Sequence, residues 1–256
     1  MILAIDVGNT NIVLGCMDDK KIYFTSRFST DRKKTSDEYA ALLQKLFEIN
    51  KYPPLGIEGS IISSVVPELS EVVYKAIKTI TGQGVVVVDS GIKTGLNILY
   101  DNPAQLGSDR VADAVAACEK YPKPTVIFDM GTATTVSVLN ASGSYVGGMI
   151  IPGVRIALEA LSKMTSQLPH IRLEATKKVI ATNTIDCMKS GSVYGNAAMV
   201  DGLIDRFEEE LGAKAAVVAT GGMMSYIIPH CRHEIICDAD LTLRGLYIIY
   251  RKNVKQ

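Results

Sequence analysis

Two short segments of this chain pair a carboxylate with a glycine and a run of hydroxyl or amide side chains. They are Asp6-Val7-Gly8-Asn9-Thr10-Asn11 and Asp129-Met130-Gly131-Thr132-Ala133-Thr134-Thr135. Backbone N–H groups at such a tip, with glycine for close approach and Thr or Asn as donors, suit phosphate oxygens. The carboxylate suits a hydrated Mg²⁺ or another hard cation. A third segment, Thr220-Gly221-Gly222-Met223, also closes an apolar run. A fourth, Gly107-Ser108-Asp109-Arg110, places an acid beside a fixed positive charge just ahead of a helical pattern. An aspartate so placed can accept or orient a hydroxyl proton. The same four residues also read as a helix cap with an acidic first turn.

The elements around these segments must hold them in place. Ile2-Leu3-Ala4-Ile5 stops at Asp6 and resumes as Ile12-Val13-Leu14-Gly15, which predicts a hairpin with the polar run at its tip. Thr125 to Phe128 and Val136 to Leu139 repeat that plan around Asp129, 123 residues after Asp6. One Asp-x-Gly turn is a common hairpin, whereas two at a half-chain offset point to duplication. Lys21 to Ser29 predicts a third strand, and Thr35 with Glu38 a capping box opening a helix. Residues 59–66 and 85–88 read as strands, with a helix between them from Pro67 to Gly82. Further helices are expected over 153–166 and much of 184–211, and a strand over 215–219. Residues 241–251 fit helix or strand by periodicity alone. The expectation is an α/β chain of two mixed sheets, divided as 1–118 and 119–256.

Composition narrows the class. The 47% hydrophobic and 21% charged fractions suit a soluble globular chain. Lys+Arg 27 against Asp+Glu 27 leaves no basic excess to draw nucleic acid or an anionic membrane. With no Trp, a stacking platform for single strands is also disfavoured. Five cysteines without paired spacing suit reduced thiols in a cytoplasmic protein. The N-terminus lacks a basic leader, and no apolar run nears the ~18 residues of a membrane span. His230-Cys231-Arg232-His233 with Cys237 matches no usual zinc spacing; exposed histidines and a buried Cys237 are expected. Met149, Met223 and Met224 read as adaptable core filling. Asp31-Arg32-Lys33-Lys34 reads as a solvated loop.

The paired hairpins and the Thr220-Gly221-Gly222 turn resemble the phosphate and adenosine motifs of the acetate and sugar kinase/Hsp70/actin superfamily. Within it, five segments resemble type III pantothenate kinases: the two hairpin tips, Gly107-Ser108-Asp109-Arg110, Tyr100-Asp101-Asn102-Pro103 and the run from Gly147-Gly148 to Pro152-Gly153. The resemblance spans nearly the whole chain. It implies a duplicated actin-like (ribonuclease H-like) α/β fold with a nucleotide cleft between its two sheets. It also implies phosphoryl transfer from ATP to the primary hydroxyl of pantothenate, the first step of coenzyme A synthesis.

By the same resemblance Asp109 is the catalytic aspartate. Asp6, Val7, Gly8, Asn9, Thr10, Asn11, Ile12 and Val13 would contact the ATP phosphates and their Mg²⁺, with Thr132 on a phosphate oxygen. Asp129 would hold a monovalent cation, K⁺ or NH₄⁺. Tyr100, Gly107, Ser108, Asp109, Arg110 and Thr184 would contact pantothenate; Thr184 reads equally as part of a helix cap. Arg110 could position Asp109, substrate or phosphate. A homodimer is implied, with Thr184 acting across its interface. Other kinases of the superfamily would lack the Gly-x-Asp-Arg element. A non-enzymatic ATP-binding regulator would not need Asp109.

Overall fold

A computed structural model describes residues 1–254. The chain divides into two compact units. The first comprises Met1–Gly95, Asp101–Ala116 and Asp240–Gln256; the second comprises Leu96–Tyr100 and Ala117–Ala239.

In the first unit, β1 (Ile2–Val7), β2 (Asn11–Met17), β3 (Ile22–Ser29), β4 (Gly59–Ser64) and β5 (Val85–Val87) form one sheet. Their order is β3-β2-β1-β4-β5. The hairpin strands run antiparallel, and β4 and β5 join parallel. Helix α1 (Ser36–Asn50) starts at the expected capping box, Thr35 with Glu38. It buries Tyr39, Leu43 and Phe47 against the sheet. Helix α2 (Pro67–Thr81) has Pro at its first turn, where no N–H partner is needed. It ends at Gly82, whose φ of 68° is left-handed. Leu69, Val73, Ala76 and Ile77 of α2 complete this core.

The second unit repeats the plan. Strands β6 (Thr125–Met130), β7 (Ala133–Leu139) and β8 (Tyr145–Pro152) precede β9 (Ala216–Thr220) and β10 (Ile236–Cys237), in the order β10-β9-β6-β7-β8. Alternation of burial along β6 and β7 matches β1 and β2 residue for residue. Register irregularities fall at equivalent places, Cys16/Met17 and Val138/Leu139. The duplication is thus preserved in pairing as well as order. Helices α4 (Val154–Met164), α5 (Thr184–Leu211) and the single-turn α6 (Met224–Ile227) belong to this unit. Val193, Ala197, Val200, Ile204 and Phe207 of α5 form its buried face.

Helix α3 (Ser108–Lys120) precedes the second hairpin. The stretch left open as helix or strand is α7 (Leu241–Asn253). It buries Leu241, Leu243, Leu246, Ile249 and Tyr250 and packs on β1 and β4. A Cβ at its Gly245 would stand 1.9 Å from the Ala112 carbonyl oxygen, so glycine permits α7 to seat against α3. The C-terminal helix thus returns to the first unit, while Leu96–Tyr100 belongs to the second.

Candidate functional site

Asp6 is the penultimate residue of β1, and Gly8 to Thr10 form the turn into β2. Gly8 N donates to the Asn11 carbonyl at 3.0 Å, closing the tip. A Cβ on Gly8 would lie only 3.0 Å from that oxygen. The end of β3 braces the turn. Thr30 N donates to the Thr10 carbonyl at 2.9 Å, and Thr30 Oγ1 to the Gly8 carbonyl at 2.6 Å. The following loop is solvated, as expected from its charge, with Arg32 and Lys33 exposed. Arg32 donates to Asn9 Oδ1 at 3.0 Å and lies 3.7 Å from Glu68.

The parallel pairing of β1 with β4 places Ser63 directly beside Asp6. Ser63 Oγ donates to Asp6 Oδ1 at 2.9 Å and lies 2.9 Å from Ser108 Oγ. Gly107 to Arg110 thus stands next to the first hairpin, joined to it by side-chain hydrogen bonds. Nothing in the periodicity of β4 singled out Ser63. It is one of three serines in this strand, so residue type alone does not distinguish it from Ser60 or Ser64.

Asp109 sits in the first turn of α3, where the helix dipole favours a carboxylate. Arg110 N donates to its Oδ1 at 2.7 Å. Burial nevertheless pushes the Asp109 carboxyl above the ordinary aspartate value, outweighing the Arg110 amide and charge. Its oxygen occupies the space beside Gly107, where a Cβ would stand 2.4 Å away. Gly107→Ala should therefore leave the backbone in place and displace the carboxylate. We expect a kcat loss of about 10- to 100-fold with little change in melting temperature, since small misplacements of reacting groups cost that much. Steady-state rates beside a thermal melt decide this.

In the second unit Asp129 holds the place of Asp6, paired with Thr135 on one side and Thr220 on the other. The turn is one residue shorter than the first; Gly131 N donates to the Ala133 carbonyl at 3.0 Å. Gly221, at φ 88°, follows β9 against this turn. A Cβ there would meet Asp129 Oδ1 at 2.5 Å and the Met130 backbone at 2.6 Å. Gly153, at the start of α4, faces the Thr132 carbonyl as closely, with 2.2 Å to a Cβ. These two glycines let three segments converge on Asp129 and the exposed Thr132.

Other expected contact residues are more scattered. Tyr100 stacks edge-on to buried Tyr145, with ring centroids 6.1 Å apart. Thr184 is the exposed first residue of α5; the cap is Asn183, whose Oδ1 accepts from Asp186 N at 2.9 Å. Beyond Gly221, a cavity of about 700 Å³ opens beside Met223 and Tyr226, with Arg155, Leu158, Glu159 and Arg172 on its walls. The sequence reading missed it because residues 165–174, which supply part of the wall, carry no periodic pattern.

Two secondary expectations need correction. Cys237 is exposed, because β10 is a two-residue edge strand. Cys231 is the sheltered thiol, pushed up to about 12 by burial. Among the described residues no group of three His, Cys, Asp or Glu side chains is placed to hold a metal. Met223 and Met224 pack on the core, but Met149 on β8 is exposed.

Two five-stranded units, each with an Asp-x-Gly hairpin beside a parallel strand, define an actin-like fold. A solved structure of the activator of 2-hydroxyisocaproyl-CoA dehydratase from Clostridium difficile, with bound ADPNP, shares this fold. Its TM-score is 0.55 at 14% identity, covering 100% of this chain and 98% of that one. The family model for type III pantothenate kinase matches residues 2–206. A type III pantothenate kinase of Halalkalibacterium halodurans is 43% identical over 254 residues, 99% of this chain and 100% of that protein. One from Moorella thermoacetica is 41% identical over 253 residues, again 99% and 100%. The chain belongs to the type III pantothenate kinase family.

Proposed function

We propose that this chain transfers the γ-phosphoryl group of ATP to the primary hydroxyl of pantothenate, the first step of coenzyme A synthesis. The observation that carries this reading is the juxtaposition of Gly107-Ser108-Asp109-Arg110 with the Asp6 hairpin in a chain of this family.

The residues suit the reactants. The turn of Gly8 to Asn11 presents backbone N–H groups and Asn and Thr side chains to phosphate oxygens. Asp6 would hold the divalent cation that a kinase using ATP requires. Bound there, Mg²⁺ would neutralise charge on the phosphates. Asp109 takes or orients the proton of the pantothenate hydroxyl, with Arg110 beside it. Its raised carboxyl pKa makes it a stronger base than an exposed aspartate. Thr132 would bond a phosphate oxygen, and Asp129 would hold a monovalent cation, K⁺ or NH₄⁺. The adenosine end of ATP takes the cavity beside Met223 and Tyr226. Tyr100 and Thr184 remain on the pantothenate side of this reading.

An ADP-release assay with pantothenate and Mg·ATP is the direct test. Pantothenate-dependent ADP formation is expected, and its absence at saturating substrates overturns the assignment. Asp6→Asn should weaken productive nucleotide binding and be partly rescued by raised Mg²⁺, because an amide is a poorer cation partner. Unchanged ATP kinetics across a Mg²⁺ titration would make Asp6 purely structural.

The second unit also exposes Met149 and Ile150 of β8 and Ile156 and Leu161 of α4. Apolar area of this kind marks contact surfaces, and it supports a homodimer formed through β8 and α4. Sedimentation of wild type against Ile150→Lys tests that assembly. No helix among the described residues is long and apolar enough to cross a membrane. A cytoplasmic location fits the substrates.

A further inference from the structure

Ser63 is fully buried, and its hydroxyl touches two parts of the candidate site. A hydroxyl has one proton, and an ionised carboxylate can only accept. At 2.9 Å from Asp6 Oδ1, the Ser63 proton points to Asp6. The 2.9 Å contact to Ser108 must then be donated by Ser108. With its proton committed to Ser63, Ser108 makes only a long 3.4 Å approach to the Ser64 carbonyl. The three side chains form one oriented relay from Ser108 through Ser63 to Asp6.

We infer that Ser63 is a positioning residue that ties the cation-binding carboxylate of Asp6 to the Ser108-Asp109 turn, so that metal loading and acceptor placement are coupled. The inference rests on the phosphotransfer reading above. Drawing Asp6 toward a cation pulls on the Ser63 hydroxyl and, through it, on Ser108. Ser108 precedes Asp109, so the relay sets where that carboxylate stands. Register supports a designed placement. Pairing puts Ser63 beside Asp6 in one unit and a second buried hydroxyl residue, Thr220, beside Asp129 in the other. Ser63 donates from the buried interior of a parallel strand, one of three serines in Gly59–Ser64.

Ser63→Ala removes the hydroxyl with almost no change of volume. We expect the Mg²⁺ midpoint for activity to rise about 5- to 10-fold, with the pantothenate KM rising several-fold, from loss of a hydrogen bond to a charged group. Ser108→Ala should do much the same, and the double variant should be no worse than either single one. Mg²⁺-dependent ATP affinity, measured calorimetrically without pantothenate, gives a second readout that needs no acceptor. A shifted Mg²⁺ midpoint there supports the relay even if pantothenate proves the wrong acceptor. Additive single variants, or a lowered melting temperature with an unmoved Mg²⁺ midpoint, overturn it.

Discussion

Replacing Asp109 by asparagine should lower kcat by ~10²–10⁴-fold while leaving the protein as stable as wild type or more so. The amide keeps the shape and still offers an oxygen to the Arg110 amide. It removes the basicity that proton transfer from the acceptor hydroxyl uses, and general base catalysis is worth about that range. A largely metaphosphate-like transition state would put the loss at the low end.

Stability should move the other way. The Asp109 pKa is raised by burial, so the folded state disfavours the charged form. For a carboxyl raised on folding, stability is greatest below the unfolded value and falls as pH rises through the folded one. At neutral pH the wild type carries that cost, and asparagine does not. The rate has the opposite sign: kcat/KM should fall as pH drops through the raised Asp109 value. Kinetics at several pH values beside thermal melts check both. Wild-type turnover in the variant would remove Asp109 from the mechanism.

Exchanging K⁺ for Na⁺ should depress turnover by about 10-fold or more without loss of fold. Asp129→Asn should then abolish the response to K⁺. The basis is the second hairpin, which repeats the first carboxylate at a strand end where Gly221 and Gly153 leave room for backbone to crowd in. A side chain at Gly221 would collide with Asp129 Oδ1 and the Met130 backbone, so this carboxylate is packed close to main chain. A carboxylate so placed suits a large, weakly hydrated cation, which loses water more readily than Na⁺. Charge held near the transferring phosphoryl offsets the negative charge gathered there, an effect that dominates phosphoryl transfer. Initial rates at saturating Mg·ATP in matched K⁺ and Na⁺ buffers provide the measurement. Equal rates would sink the monovalent-cation proposal and leave the kinase reading standing.

Much of the architecture was legible because local rules and long-range pairing agree. The Asp6 and Asp129 hairpins show as apolar runs broken by polar turns, and both turns form where expected. Thr35 and Glu38 announce α1 because a capping box is a contact between residues three apart. By contrast, Leu241 to Asn253 could be read either way. Its helix is settled by packing of α7, with Leu246 and Ile249 buried, on β1 and β4, far away in sequence. Cys231 and Cys237 differ in shelter for the same reason: Cys231 packs beside Ala197 of α5, while Cys237 lies on the edge strand β10.

The sequence by itself determined the duplicated hairpins and the motifs by which the chain resembles its family, the Gly107-Ser108-Asp109-Arg110 element among them, since these reside in residue types at short spacing. Tertiary structure alone decided that Ser63 meets Asp6 and Ser108, that Gly107 makes room for Asp109, and that Gly221 lies against Asp129. Each of these depends on parallel register or on crossings between distant segments. Short-range periodicity carries no information about which residue of a distant strand will lie alongside.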